Sequence, residues 1–90
     1  MSINHIPSNL SNLLQTYCFI HTEYEYTDTD VYEQTFVSTP IRLIILSNNI
    51  SLYIDHTIEI EHAPINEQNI ELIINTITDI LYQLGFIKPS

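Results

Sequence analysis

Residues 50–62 read Ile50-Ser51-Leu52-Tyr53-Ile54-Asp55-His56-Thr57-Ile58-Glu59-Ile60-Glu61-His62. Leu52, Ile54, His56, Ile58 and Ile60 fall on one row at period two. Tyr53, Asp55, Thr57, Glu59 and Glu61 fall on the other. An extended chain sends successive side chains to opposite faces, so this alternation predicts one long strand, apolar on one side and wet on the other. Ala63-Pro64 closes it, because proline cannot donate to a ladder. A strand of this kind needs a second layer over its apolar face.

The chain just after it supplies that layer. Ile70, Ile73, Ile74, Ile77, Ile80, Leu81 and Leu84 recur at the spacing of a helix that buries one stripe. Asn66 is the expected N-cap, and Glu67 and Glu71 suit the positive end of the helix dipole. Gly85, the only glycine, stands where a left-handed C-terminal cap is wanted, with Phe86 and Ile87 folding back on the last turn.

Upstream of residue 50 the signals are shorter. Leu10, Leu13 and Leu14 share one helical face in a short helix over residues 7–14, with Ser8 or Asn9 as its cap. Residues 17–27 alternate, with Cys18, Ile20, Thr22, Tyr24 and Tyr26 against Phe19, His21, Glu23 and Glu25. That pattern predicts a half-buried strand. Asp28-Thr29-Asp30 has turn chemistry, since short Asp side chains bond their own backbone. Residues 31–38 then return as a second strand, which Thr39-Pro40 ends. Residues 41–46 are apolar on both faces except for Arg42, the pattern of a central strand. Ser47-Asn48-Asn49 is a tight turn. The expected fold is an α+β two-layer sandwich, a single domain over residues 1–90. Its four-stranded antiparallel meander carries a short N-terminal helix and a long C-terminal helix packed on one face.

Eleven acidic side chains face two basic ones, Arg42 and Lys88, for a formal net charge of −9. A surface this acidic repels nucleic acid and anionic membrane and attracts basic protein surfaces. Apolar residues reach 44%, seventeen residues being Ile, so the chain is a folding domain and not a disordered acidic tail. Lys occurs once, whereas an ordinary solvated face mixes both signs. The single Cys18 rules out an internal disulfide and fits a reducing compartment. Residues 1–10 have neither a basic nor an apolar leader segment, and no run approaches the ~18 apolar residues of a membrane helix. These features predict a cytoplasmic protein without membrane contact.

The residues expected to meet a partner follow from shared faces. Asp55, Glu59 and Glu61 lie on the wet row of the long strand, with Tyr53 as an anchor. Glu23, Tyr24, Glu25 and Tyr26 place charge and aromatic area in one stretch. Asp28, Asp30 and Glu33 crowd the first hairpin. Carboxylates at i and i+2 on a strand stand ~6.5 Å apart, a ladder of negative charge that can imitate a phosphate backbone. The bland alternative is a solvated face that keeps the protein soluble. Arg42 is expected to pair with a carboxylate on a neighbouring strand. No cofactor or metal is expected. His21, Glu23 and Glu25 could offer ligands on one face, but no Cys/His cluster accompanies them. Cys18 is flanked by apolar residues, as a small buried residue would be, and the single glycine excludes a phosphate-cradling loop.

The sequence therefore predicts a non-enzymatic acidic inhibitor that blocks the nucleic-acid-binding surface of a basic partner and does not itself bind nucleic acid. Phage anti-defence (anti-CRISPR-like) proteins and the immunity proteins of nuclease toxins have these properties, and such a protein can act as a DNA mimic. The alternative is a small assembly or chaperone-like subunit whose second sheet face forms a homodimer or docks a client. A metal-dependent or acid–base enzyme is the third reading.

Overall fold

A computed structural model describes residues 6–23 and 29–85. The order is α1 (Ser8–Thr16), β1 (Ile20–Glu23), β2 (Thr29–Phe36), β3 (Thr39–Leu46), β4 (Asn49–Ile54), β5 (Thr57–Pro64) and α2 (Ile70–Gln83). The strands form one antiparallel sheet in the order β1-β2-β3-β4-β5. The architecture is the expected α+β sandwich, with five strands in place of four. Among the described residues, no helix is long and apolar enough to cross a membrane.

β3 is central and sets the two faces. Ile41, Leu43 and Ile45 are buried, opposite Ile54, Leu52 and Ile50 on β4. Leu10, Leu13 and Leu14 from α1 and Ile70, Ile73, Ile77 and Leu81 from α2 complete this cluster. Both helices therefore lie on one side of the sheet, beside each other. Each fully buried Ile or Leu here contributes roughly 1.5–3 kcal/mol relative to exposure.

The fifth strand comes from the stretch expected to be one long strand. Asp55 and His56 form a two-residue hairpin turn, with Asp55 at φ 57, a conformation short Asp side chains tolerate. Thr57 thus pairs with Ile54 on the core face, and Ile58 pairs with Tyr53 on the open face. The ladder then slips at Glu59, so that Leu52 pairs with Ile60, and slips again before Ala63 meets Ile50. A turn of two residues inverts the apolar parity, and the first bulge restores it. Ile60 therefore returns to the core while Ile58 stays 49% exposed.

Other expected boundaries move as well. β2 starts at Thr29, so Thr29 and Asp30 are ladder residues, not turn residues. Thr39-Pro40 opens β3 instead of ending β2, because the hairpin turn is Val37-Ser38, at φ 47 and 67. Pro40 is tolerated there because its carbonyl, on the same side as its nitrogen, faces the β4–β5 turn and accepts the Asp55 N–H at 2.8 Å. α1 runs on to Thr16 and ends in a Schellman motif. The Cys18 N–H bonds Gln15 O, the Phe19 N–H bonds Leu14 O, and Cys18 takes the left-handed position at φ 59. Cys18 is therefore exposed, not buried. Asn66 caps a turn that precedes α2: its Oδ1 accepts the N–H groups of Gln68 and Asn69 at 3.0 and 2.9 Å. Gly85 takes its expected left-handed position at φ 102. Phe86, Ile87 and Lys88 lie outside the described residues.

Candidate functional site

The structure separates the acidic residues that the sequence groups together. β1 and β5 are opposite edges of the sheet, about 19 Å apart at ~4.8 Å per strand spacing. Glu23, at the end of β1, therefore lies across the sheet from β5. Tyr24, Glu25, Tyr26 and Asp28 lie outside the described residues.

Asp30 is not a surface residue. It lies on the helix side of β2, opposite Ile45, and is 1% exposed. A buried carboxylate needs donors. His21, on β1 opposite Tyr32, turns its Nε2–H to Asp30 Oδ1 at 2.8 Å. Its ring stacks on Tyr32 with centroids 4.6 Å apart. His21, Asp30 and Tyr32 thus form one polar corner of the core. The Asp-rich composition around residue 30 pointed to a turn, and the contrary signal was the alternation of Asp30, Tyr32, Gln34 and Phe36.

Asp55, Glu59 and Glu61 are all exposed, but they do not share one strand face. Asp55 occupies the β4–β5 turn, with its Oδ1 3.7 Å from His56 Nε2. Glu59 sits at the first bulge of β5, which among the described strands has only β4 as a neighbour. Glu61 precedes His62, a left-handed residue at φ 47 whose N–H bonds the buried Ser51 Oγ at 3.0 Å. These three carboxylates follow one another along the β5 edge and the turn that opens it, all exposed. Among the described residues the one Lys or Arg is Arg42, and it lies on β3, two strands away.

The face of the sheet away from the helices is less acidic than the sequence suggests. Arg42 and Tyr53 pair across its middle. Arg42 Nη2 stands 4.0 Å from Glu33 Oε2 on β2, both half-exposed, so the expected ion pair is present but loose. Around them stand Ile20 at 72% and Leu46 at 40% exposure, with Ile44 half-buried. A shallow groove of about 330 Å³ opens at one end of this face, lined by Glu33, Arg42, Tyr53, Asp55 and His56 among others. No group of three His, Cys, Asp or Glu side chains among the described residues is placed to hold a metal ion. Comparison of the chain with protein-family models, with curated proteins and with solved structures finds no match.

Proposed function

We propose that the chain is a non-enzymatic acidic inhibitor whose β5 edge docks on the basic, nucleic-acid-binding surface of a partner protein. The observation that carries this reading is the unbalanced charge. Eleven carboxylates face two basic side chains, and Asp55, Glu59 and Glu61 run exposed along one edge of the sheet. Such an edge draws a basic surface into encounter and repels nucleic acid. The competing reading is edge protection. An edge strand carries charges and bulges to prevent strand-to-strand aggregation, and β5 has both.

Charge reversal separates the two. Glu59→Lys with Glu61→Lys leaves the melting temperature nearly unchanged, because surface substitutions stay within about 0.5 kcal/mol. On this reading the same pair abolishes capture of a basic protein from the native host's lysate, and with it the block on that protein's nucleic-acid binding. Glu67→Lys with Glu71→Lys, at the start of α2, costs a little stability and leaves capture intact. Wild-type association slows steeply between low and physiological salt, as screening over ~8–10 Å removes the attraction. Capture that survives the strand pair and fails with the helix pair moves the docking surface to α2. Association that is flat with ionic strength removes electrostatic steering altogether.

A further inference from the structure

We infer that the β5 edge is gated by protons: His56 and His62, set beside its carboxylates, cancel its pull on a basic surface when the pH falls. The inference rests on the docking role proposed above and adds its regulation.

The sequence joins an acid to a histidine at two points, Asp55-His56 and Glu61-His62. The fold puts both pairs where the β4–β5 ladder is broken. Asp55 and His56 form the turn that opens β5, and Glu61 and His62 lie in its second bulge. On an unbroken strand one of two successive side chains turns to the helix side. Here all four are exposed, and a bulge is a device for re-aiming a side chain. The second bulge is held in place: His62 takes φ 47, and its N–H bonds the buried Ser51 Oγ at 3.0 Å.

Few charges surround each ring. His56 Nε2 stands 3.7 Å from Asp55 Oδ1, and its side chain is 96% exposed. The shallow groove beside it also holds Glu33 and Arg42, which pair loosely with each other. His62 follows Glu61 directly, and Ile50, Ser51 and Leu52 stand opposite on β4, none of them titratable. Glu59 lies three residues before it and Glu67 five residues after it. His21 is turned instead to Asp30 at 2.8 Å, on the far side of the sheet.

Acidification therefore acts on the edge itself. Imidazole is the kind of side chain that changes charge between about pH 8 and pH 5; carboxylate and guanidinium are not. With both rings protonated, the carboxylates of Asp55, Glu59 and Glu61 are opposed by two cations, and the edge falls from −3 to −1. Each cation stands beside a carboxylate, where screening over ~10 Å at 0.1 M salt does not separate them. A basic surface then meets like charge at the contact and is held more weakly.

A decalysine peptide is the probe, because lysine keeps its charge over this range. Fluorescence anisotropy in ~0.02 M salt, at about pH 8 and about pH 5.5, reads its affinity for the full chain. We expect wild type to bind about fivefold more weakly at the lower pH, the effect of a unit charge at ~4 Å in water. His56→Gln with His62→Gln matches wild type at the higher pH and loses less than about twofold on acidification. His5→Gln, which removes one imidazole elsewhere in the chain, keeps the wild-type loss. His56→Lys with His62→Lys binds weakly already at the higher pH, a comparison that does not depend on the fold surviving acid. Wild type and the Gln pair falling in parallel overturns the inference. So does wild type unmoved by pH, or a Lys pair that binds as well as the Gln pair. Glu59→Lys with Glu61→Lys tells this failure from that of the docking role. If that pair leaves decalysine binding intact at the higher pH, the edge is not the docking surface and both readings fall. If it abolishes binding while the histidine variants change nothing, only the gating falls.

Discussion

Cys18 sits one residue beyond the C-cap of α1 at φ 59, where the Cβ of an L-residue crowds the following carbonyl. The Schellman bonds around it are complete, so the cap tolerates the strain instead of avoiding it. Glycine has no Cβ to crowd but loses more conformational freedom on folding. The first effect is about 1–2 kcal/mol and the second about 0.5–1, so removing the strain wins. Cys18→Gly should therefore stabilise the fold by about 0.5–1 kcal/mol, read as a higher urea midpoint at unchanged m-value. A lower midpoint would mean that the thiol makes a contact worth more than the strain. His21 and Asp30 show the opposite case, a residue held by its partner. The Asp30 carboxylate, 1% exposed, is accepted into the core with a His21 donor at 2.8 Å. That placement removes Asp30 from any docking surface.

At the scale of the element, the β2–β3 hairpin carries the plainest local conflict. Val37 and Ser38 both have positive φ, 47 and 67, and Val37 is 81% exposed. The turn needs two left-handed residues, a demand that Asn-Gly meets and a β-branched side chain resists. Val37→Asn with Ser38→Gly should raise stability by about 1–2 kcal/mol, since the exposed Val37 gives up little packing. Thermal melts in which the double variant falls below the wild type would show that Val37 is held by contacts or that the turn has another geometry. The same chemistry decides what could be read from the sequence. α2 was legible because seven apolar residues repeat at one period from Ile70 to Leu84, and each lies in or against the core. The β4–β5 hairpin was not legible. Its turn, Asp55-His56, has neither Gly nor Asn, and the bulge at Glu59 restores the parity that the turn inverts. Leu52, Ile54 and Ile60 all face the core in either reading, and only Ile58 betrays the break by pairing with Tyr53 on the open face. An unbroken strand would set Asp55, Glu59 and Glu61 on one face, whereas the turn and the bulge string them along an edge.

Across the whole molecule, the charge that suits a basic partner works against the folded state. Nine net negative charges are held in a body whose Cα radius of gyration is 12.4 Å. The body measures 33 × 28 × 25 Å, so most pairs of exposed carboxylates stand within the ~30 Å Debye length of 0.01 M salt but beyond the ~10 Å of 0.1 M. Below that ionic strength they repel one another through the whole molecule, and unfolding relieves the repulsion by letting the chain expand. Attractive pairs offset little of this. Among described Lys and Arg residues, Arg42 makes one pair, at 4.0 Å and half-exposed, of the kind worth ~0–1 kcal/mol. The balance predicts that salt stabilises this protein. Raising ionic strength from ~0.01 to ~0.15 M should lift the melting temperature by several degrees, since 1 kcal/mol corresponds to about 4–8 °C in a domain of this size. The scan should use dilute chain, where the midpoint does not depend on protein concentration, so that the shift reports screening within one chain. Sodium chloride and potassium chloride should act alike, because screening depends on ionic strength and not on a bound ion. A midpoint unmoved by salt would mean that the exposed carboxylates are too dispersed to repel one another appreciably. An edge so weakly charged could not steer a basic partner either, so the same null result would remove the electrostatic basis of the proposed function.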